Sequence, residues 1–335
     1  MPDARVQAIT LWLQQFDEVA GAILTPASED ASFRRYFRAS KGNKTWIVMD
    51  APPEKEDSRP FVKISQYLQQ MNLNAPRVIE ADLAQGFLLL TDLGQTQYLE
   101  TLNEDAKSSD KLYADAIDAL IRMQSNGGVF QSQLPAYDDE LLRFEMSLFS
   151  DWLCATHLGI TFTDDEQQQW NAVCDVLADN ALDQPTVFVH RDFHSRNLMR
   201  TNANNPGILD FQDAVCGPYT YDLVSLLKDC YVSWPPDQVA AWALSFYRER
   251  QSALGSAIDE DKFFRHFHLM GVQRQLKAAG IFARLNHRDG KAGYMRDIPL
   301  TLNYVVAIAG QYKELSFLSA LLSERVLPQL IRSST

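Results

Sequence analysis

The stretch that most constrains this chain is His190-Arg191-Asp192-Phe193-His194-Ser195-Arg196-Asn197, followed after a short spacer by Gly207-Ile208-Leu209-Asp210-Phe211-Gln212. Pro185-Thr186-Val187-Phe188-Val189 reads as a short buried strand entering a polar loop. Asn197-Leu198-Met199 reads as a strand leaving it, and the run from Gly207 to Phe211 as its hairpin partner across Asn202-Ala203-Asn204-Asn205-Pro206. The pattern predicts one strand–loop–hairpin unit carrying Asp192, Asn197 and Asp210. His190, at the end of the entering strand, is expected to hydrogen-bond backbone around the loop rather than to act as an acid or base.

The spacing has a chemical reading. H-R-D, an asparagine five residues after the aspartate, and an acidic residue closing a following strand form the arrangement that phosphoryl transfer from a nucleotide requires. Such a reaction needs an acceptor hydroxyl held in line, a group to take its proton, and Mg²⁺ to neutralise phosphate oxygens. Asp192 is the expected catalytic residue, orienting and deprotonating the hydroxyl. Asn197 and Asp210 are the expected metal ligands, one a neutral amide oxygen and the other an anionic bridge to the phosphates. ATP and Mg²⁺ are the expected cofactors.

Composition narrows the setting. At 335 residues, 46% hydrophobic and 22% charged, the chain can bury two cores and is neither disordered nor fibrous. A net charge of −12 with no Lys/Arg run longer than two argues against a nucleic-acid partner. Cys154, Cys174, Cys216 and Cys230 form no C-x-x-C pair, so neither a zinc site nor a disulfide framework is expected. The first residues lack the pattern of a signal peptide and no stretch approaches 18 apolar residues. A cytoplasmic protein without membrane insertion is the expectation.

Along the chain the organisation reads as bilobal. A helix is expected over Val6 to Val19, then strands at Ala22–Thr25, Ser32–Ala39, Thr45–Asp50, Arg77–Ala81 and Gly86–Leu90, with a helix around Phe61 to Leu68 inserted between the third and fourth. Thr91-Asp92-Leu93-Gly94 ends the last strand abruptly and suits a hinge whose Asp92 and Leu93 backbone pairs with adenine. Beyond it the pattern is largely helical to Ile331. The fold class is therefore α+β, a protein-kinase-like bilobal fold with an antiparallel sheet and helix in the small lobe and a large, mainly helical lobe. The expected boundaries are 1–91 for the ATP-binding lobe, 92–95 for the hinge and 96–335 for the catalytic and substrate-binding lobe.

Around the Asp192, Asn197 and Asp210 set, Gln212-Asp213-Ala214 and Gly217-Pro218-Tyr219-Thr220-Tyr221-Asp222-Leu223 resemble the aminoglycoside phosphotransferase and choline kinase superfamily. Four further stretches narrow the resemblance: Ser32 to Arg38, Val48 to Pro53, Gly86 to Gly94 and Gly280 to Gly290 are similar to bacterial anomeric kinases of cell-wall recycling. That resemblance spans nearly the whole chain. It implies phosphorylation of N-acetylmuramate and N-acetylglucosamine at the C1 hydroxyl, with an amino sugar and a nucleotide as small-molecule partners.

Two departures from the protein-kinase pattern matter. The segment at the expected phosphate loop, Ser28-Glu29-Asp30-Ala31-Ser32-Phe33, has no glycine, and Met49 stands where the third strand would carry a lysine. Ser32 is expected to cover the phosphates, with Arg34 or Arg35 supplying the missing cation, since strand alternation sends the two arginines to opposite faces.

Substrate-site candidates are charges in apolar stripes. Glu145 interrupts the stripe Leu141, Leu148, Phe149 and Trp152, so it must face a polar cleft or a partner cation. Asp213, three residues past Asp210, is expected at a sugar hydroxyl or beside the metal site. Arg274, Lys277, Arg284 and Arg288 share one helical face, where a lactyl carboxylate or phosphate could be received. Asp213, Glu145, Arg274, Arg284 and Arg288 are the substrate candidates.

Two other functions fit parts of the pattern. One is the same fold acting on another alcohol such as choline, homoserine or an aminoglycoside, although the basic late-helix face disfavours the cationic substrates. The other is a non-enzymatic nucleotide-binding regulator, suggested by Met49 but opposed by the intact Asp192, Asn197 and Asp210.

Overall fold

A computed structural model describes residues 3–29, 33–255 and 258–333. The chain divides into two compact units, each considered by itself. One contains the chain up to Gln97 together with Asn197–Asp213; the other contains Tyr98–Arg196 and the chain from Ala214 onward.

The first unit is built on an antiparallel sheet of β1 (Ile23–Glu29), β2 (Arg35–Lys41), β3 (Lys44–Asp50), β4 (Val78–Asp82) and β5 (Phe87–Thr91), in the order β1-β2-β3-β5-β4. All five expected strands are present. The inserted helix spans Arg59–Gln70 and buries Phe61, Ile64, Tyr67 and Leu68, the three-and-four spacing of an amphipathic face. The N-terminal helix is shorter than its apolar pattern suggests, running Ala4–Leu13. Asp3 starts it early by accepting hydrogen bonds from the Arg5 and Val6 N–H groups. After Leu13 the backbone closes i→i−3 turns instead, and Phe16 and Val19 join the core formed by Ile9, Trp12, Leu13, Trp46, Val48, Phe87 and Leu89.

The β3–β5 contact depends on one glycine. Gly86 has φ +74°, and a Cβ there would lie 1.8 Å from the Ala51 carbonyl oxygen, so no side chain fits where Ala51 N–H donates to Gly86 O. Met49 is fully buried in β3, paired with Tyr36 and Leu88.

The second unit is mainly helical, and its helices continue to Ser333, as the patterning predicts to Ile331. Strand β6 (Thr186–Val189) is present, but its partner is the unexpected β9 (Val215–Pro218), whose Cys-Gly-Pro sequence reads locally as a turn. Its longest helix, Glu260–Asp289, runs through the core. A Cβ on Gly280 would fall 2.3 Å from the Leu148 carbonyl carbon, so glycine permits direct backbone contact with the Asp139–Leu148 helix. The chain continues past Leu148 as a π-helical segment, Phe149–His157. Among the described residues, no helix is long and apolar enough to cross a membrane.

Candidate active site

The expected hairpin after Asn197 lies in the sheet unit. Strands β7 (Leu198–Met199) and β8 (Gly207–Ile208) pair as Leu198↔Ile208 and Met199↔Gly207. The ladder stops short of Phe211 because Asp210 adopts φ +61°, a left-handed conformation that aspartate tolerates and a strand does not. Leu209 N–H donates to Asn197 O at 2.9 Å, which sets the two ends of the hairpin side by side. Phe211 is fully buried against Phe61, with ring centroids 4.7 Å apart, and anchors the residue after the turn.

Asp210 is thus held with its carboxylate partly open, 33% exposed. Asn197 Nδ2 lies 3.4 Å from Asp210 Oδ2, and Gln212 Nε2 donates to Asp210 Oδ1 at 2.9 Å. Arg34 Nη2 reaches Asp210 Oδ1 at 3.4 Å, while Arg35 turns to the buried Asp50 carboxylate at 3.0 Å and to Asp3. The two arginines diverge, although Arg34 precedes the strand that begins at Arg35, and the one beside Asp210 is Arg34. Ser32 lies outside the described residues, as do Asp30 and Ala31, and the side chains of Ser28 and Glu29 are likewise not described.

At the end of β5, Asp92 accepts a two-pronged ion pair from Arg38, at 2.7 and 3.1 Å, and a hydrogen bond from Gly94 N–H at 2.9 Å. Arg38 also donates to Gly94 O. The Asp92 carboxylate therefore shapes the turn, and Leu93 follows it half-buried. Arg38 carries no sequence signal for this role, because its partner is 54 residues away. Asp213 is exposed, with Gln212 Nε2 at 3.4 Å.

A fit for Mg²⁺ can be judged from this donor set. Among the described residues no group of three or more His, Cys, Asp or Glu side chains is placed to cage a metal. Mg²⁺ is ordinarily held by one or two protein oxygens plus substrate phosphates and water, so an open aspartate beside an asparagine suits it.

In the helical unit, Asp192 sits in a loop tied down from both ends. Two successive N–H groups, of His190 and Arg191, donate to buried Asp222 at 2.7 and 2.9 Å. Farther along, Ser195 N–H donates to buried Asp229 at 2.9 Å, and Tyr231 N–H donates to the other Asp229 oxygen at 3.0 Å. His190 does bind loop backbone: its Nδ1 accepts from Asp192 N–H at 3.2 Å. Burial pushes the Asp222 carboxyl up to about 7, with the nearby Asp192 charge adding to the rise and the two N–H donors opposing it.

For Asp192 the balance is reversed. Burial alone would raise its pKa, but the charges of Lys277, Arg274 and Arg191, with His194, outweigh it and hold the carboxyl below its ordinary value. Asp192 is therefore ionised at neutral pH, the form that can accept a proton. Burial lowers the His194 pKa, against the opposing pull of the Asp229 and Asp192 charges.

The cations around Asp192 are organised by Glu145, only 2% exposed. Its carboxylate accepts from Arg191, from Tyr137 OH, from Lys277 Nζ at 3.0 Å and from Gln273 Nε2 at 3.2 Å. Lys277 also donates to Tyr221 OH at 2.8 Å. Of the two environments expected for Glu145, the structure shows the partner cation, doubled. Burial would raise its pKa, but Lys277, Arg191 and Tyr137 keep it low. Tyr137 and Gln273 were invisible to sequence patterning, since each is 8 or 128 residues from Glu145 and neither is charged.

The basic stripe of the late helix separates along its length. Arg274 and Lys277 are buried, Arg284 is half-buried, and Arg288 is exposed and paired with Asp289 at 2.8 Å. Phe149, Phe263 and Phe267 are core residues, while Trp152 and Trp234 are half-buried.

Comparison with known proteins follows the same lines. The phosphotransferase enzyme family matches residues 23–263. The N-acetylmuramate/N-acetylglucosamine kinase of Pseudomonas putida is 45% identical over 333 residues, covering 96% of this chain and 97% of that protein. Its counterpart in Pseudomonas aeruginosa is 46% identical over 341 residues, covering 98% of each. Among solved structures, an ethanolamine kinase of Plasmodium vivax superimposes with a TM-score of 0.63 at 12% identity, covering 92% of this chain and 89% of that one.

Proposed function

This chain belongs to the phosphotransferase enzyme family, and we propose that it transfers the γ-phosphoryl group of ATP to the anomeric C1 hydroxyl of N-acetylmuramate or N-acetylglucosamine in peptidoglycan recycling. The observation that carries the reading is the near-full-length identity to kinases named for those two sugars, combined with an ionised Asp192 in the H-R-D-x-x-x-x-N loop.

In this reading Asp192 accepts the C1 hydroxyl proton as the sugar oxygen bonds to the γ-phosphorus. The bond from that phosphorus to the β–γ bridging oxygen breaks, and ADP leaves. Asp192 is a weak base, so its main contribution is to orient the hydroxyl and take its proton late. Asp222 and Asp229 keep the loop backbone in place, and Glu145 holds Arg191 and Lys277 where they keep Asp192 charged. Asn197 and Asp210 would hold Mg²⁺, which when bound neutralises phosphate oxygens. Arg34, already directed to Asp210, supplies the small-lobe cation in place of the absent lysine, with Ser32 over the phosphates and Arg35 steadying the strand through Asp50. The Asp92–Leu93 backbone takes adenine. Asp213 meets a sugar hydroxyl, and residues 1–91, 92–95 and 96–335 act as nucleotide lobe, hinge and catalytic lobe.

Mass spectrometry of the product tests this directly. Incubation with ATP, Mg²⁺ and either sugar should yield a sugar monophosphate that loses phosphate in mild acid, as a glycosyl phosphate does. An acid-stable monophosphate would place the transfer on another hydroxyl. No sugar-dependent ADP release with any amino sugar would remove the reading altogether.

A further inference from the structure

We infer that Arg274 recognises a carboxylate on the sugar acceptor and thereby sets the enzyme's preference for N-acetylmuramate over N-acetylglucosamine. The inference rests on the sugar-kinase reading above and singles out one member of the late-helix stripe.

Arg274 is only 6% exposed, yet its hydrogen bonding is poor. Its one acceptor among the described residues is Cys230 Sγ, 3.9 Å from Nη1, and a thiol sulfur accepts weakly. No other described residue accepts from the guanidinium, and unlike Arg191 Nε and Arg284 Nε its nitrogens are not sealed without a partner, so they border open space. A buried guanidinium without acceptors is costly, so proteins normally pair it. The neighbouring cations are paired in this way: Arg191 and Lys277 share Glu145, Lys277 also meets Tyr221, and Arg196 lies over the Tyr231 ring at 3.6 Å. Glu145 serves two cations and leaves Arg274 without a hydrogen-bonded carboxylate.

Position and chemistry give the missing partner. Arg274 acts electrostatically on both Asp192 and Asp229 without bonding to either. If the C1 hydroxyl lies at Asp192, the lactyl ether on C3, two ring carbons away, brings a carboxylate within about a sugar ring's width of the cations that surround Asp192. A guanidinium forks onto two carboxylate oxygens, which a sugar bearing only hydroxyls cannot offer.

The test measures kcat/KM for both sugars with wild type, Arg274→Met and Arg274→Lys, and for wild type with the neutral lactyl amide of N-acetylmuramate. In Arg274→Met, the ratio of N-acetylmuramate to N-acetylglucosamine efficiency should fall about 10- to 100-fold, mostly through KM, as for a lost hydrogen bond to a charged group. The amide should lose a similar factor with wild type and show no further selective loss in Arg274→Met. Arg274→Lys keeps the charge without the fork and should show a smaller fall. It also carries the test should the methionine variant not fold, an unchanged ratio in it then overturning the inference. Equal losses on both sugars would assign Arg274 to the phosphoryl group or to architecture and overturn the inference, as would an unchanged ratio in Arg274→Met. Wild type inactive on both sugars would instead overturn the sugar-kinase reading on which the inference stands.

Discussion

Replacing Lys228 with methionine should stabilise the helical unit, and the gain should shrink as the pH rises. Lys228 is 5% exposed, and its Nζ has no hydrogen-bond partner. The ammonium sits 4.6 Å from the Phe267 ring centroid, and a Cβ on Gly271 would lie 2.9 Å from it, so the glycine makes its space. Burial lowers the Lys228 pKa from 10.5 to about 7. His268, a titratable neighbour that feels its charge, is itself pushed down to about 4 by burial and is neutral at pH 7.

The linkage has a definite sign. Between about pH 7 and 10.5 the unfolded chain binds a proton on Lys228 that the folded chain does not, so stability rises with pH through that window. Above the window both states are neutral and nothing is lost; below it both are protonated and the penalty is complete. At about 1.4 kcal/mol per pH unit, the whole penalty is about 5 kcal/mol, of which about 4 remains at pH 7 and about 1 at pH 9.5. Methionine has nearly the same volume, no charge to desolvate and a thioether suited to the Phe267 ring. Urea unfolding of both proteins at pH 7 and pH 9.5 should therefore show the variant's advantage narrowing by about 3 kcal/mol. An advantage equal at the two pH values, or a variant less stable than wild type at pH 7, would refute the reasoning.

The proposed site gives three more expectations. Asp192→Ala should lower kcat about 10²- to 10⁴-fold in a coupled ADP-release assay, with the circular dichroism spectrum retained; a loss smaller than tenfold would remove Asp192 from the chemistry. Asp210→Ala should abolish Mg²⁺-dependent nucleotide binding by calorimetry, and an unaltered Mg²⁺ titration would contradict its role as a ligand. Glu145→Gln leaves Arg191 and Lys277 buried without their carboxylate and should cost about 3–5 kcal/mol in urea unfolding. A loss below about 1 kcal/mol would show that the cations find another partner or water.

Much of this protein is legible in its sequence because local chemistry determines it. The strands of the sheet, the helix around Phe61 and the hairpin after Asn197 each follow from apolar periodicity and turn residues within a short window. The candidate Asp192, Asn197 and Asp210 are legible because they lie within 18 residues of one another, and their spacing states a chemical task. Alternation alone predicts opposite faces for Arg34 and Arg35. What alternation could not say was which of them meets Asp210, because that depends on Asp50 and Asp3 competing for Arg35.

The rest was decided by tertiary structure. Glu145 shows in the sequence only as a charge in an apolar stripe; its meaning comes from Arg191, 46 residues away, and from the late helix that brings Lys277 and Gln273 to it. The same holds for Lys228 and Arg274, whose types and spacing give no hint that the Nζ of one lacks a hydrogen-bond partner and that the guanidinium of the other meets a thiol. Periodicity records which face of an element is buried. The energy of a buried charge depends instead on which distant groups surround it, and only the folded chain assembles those.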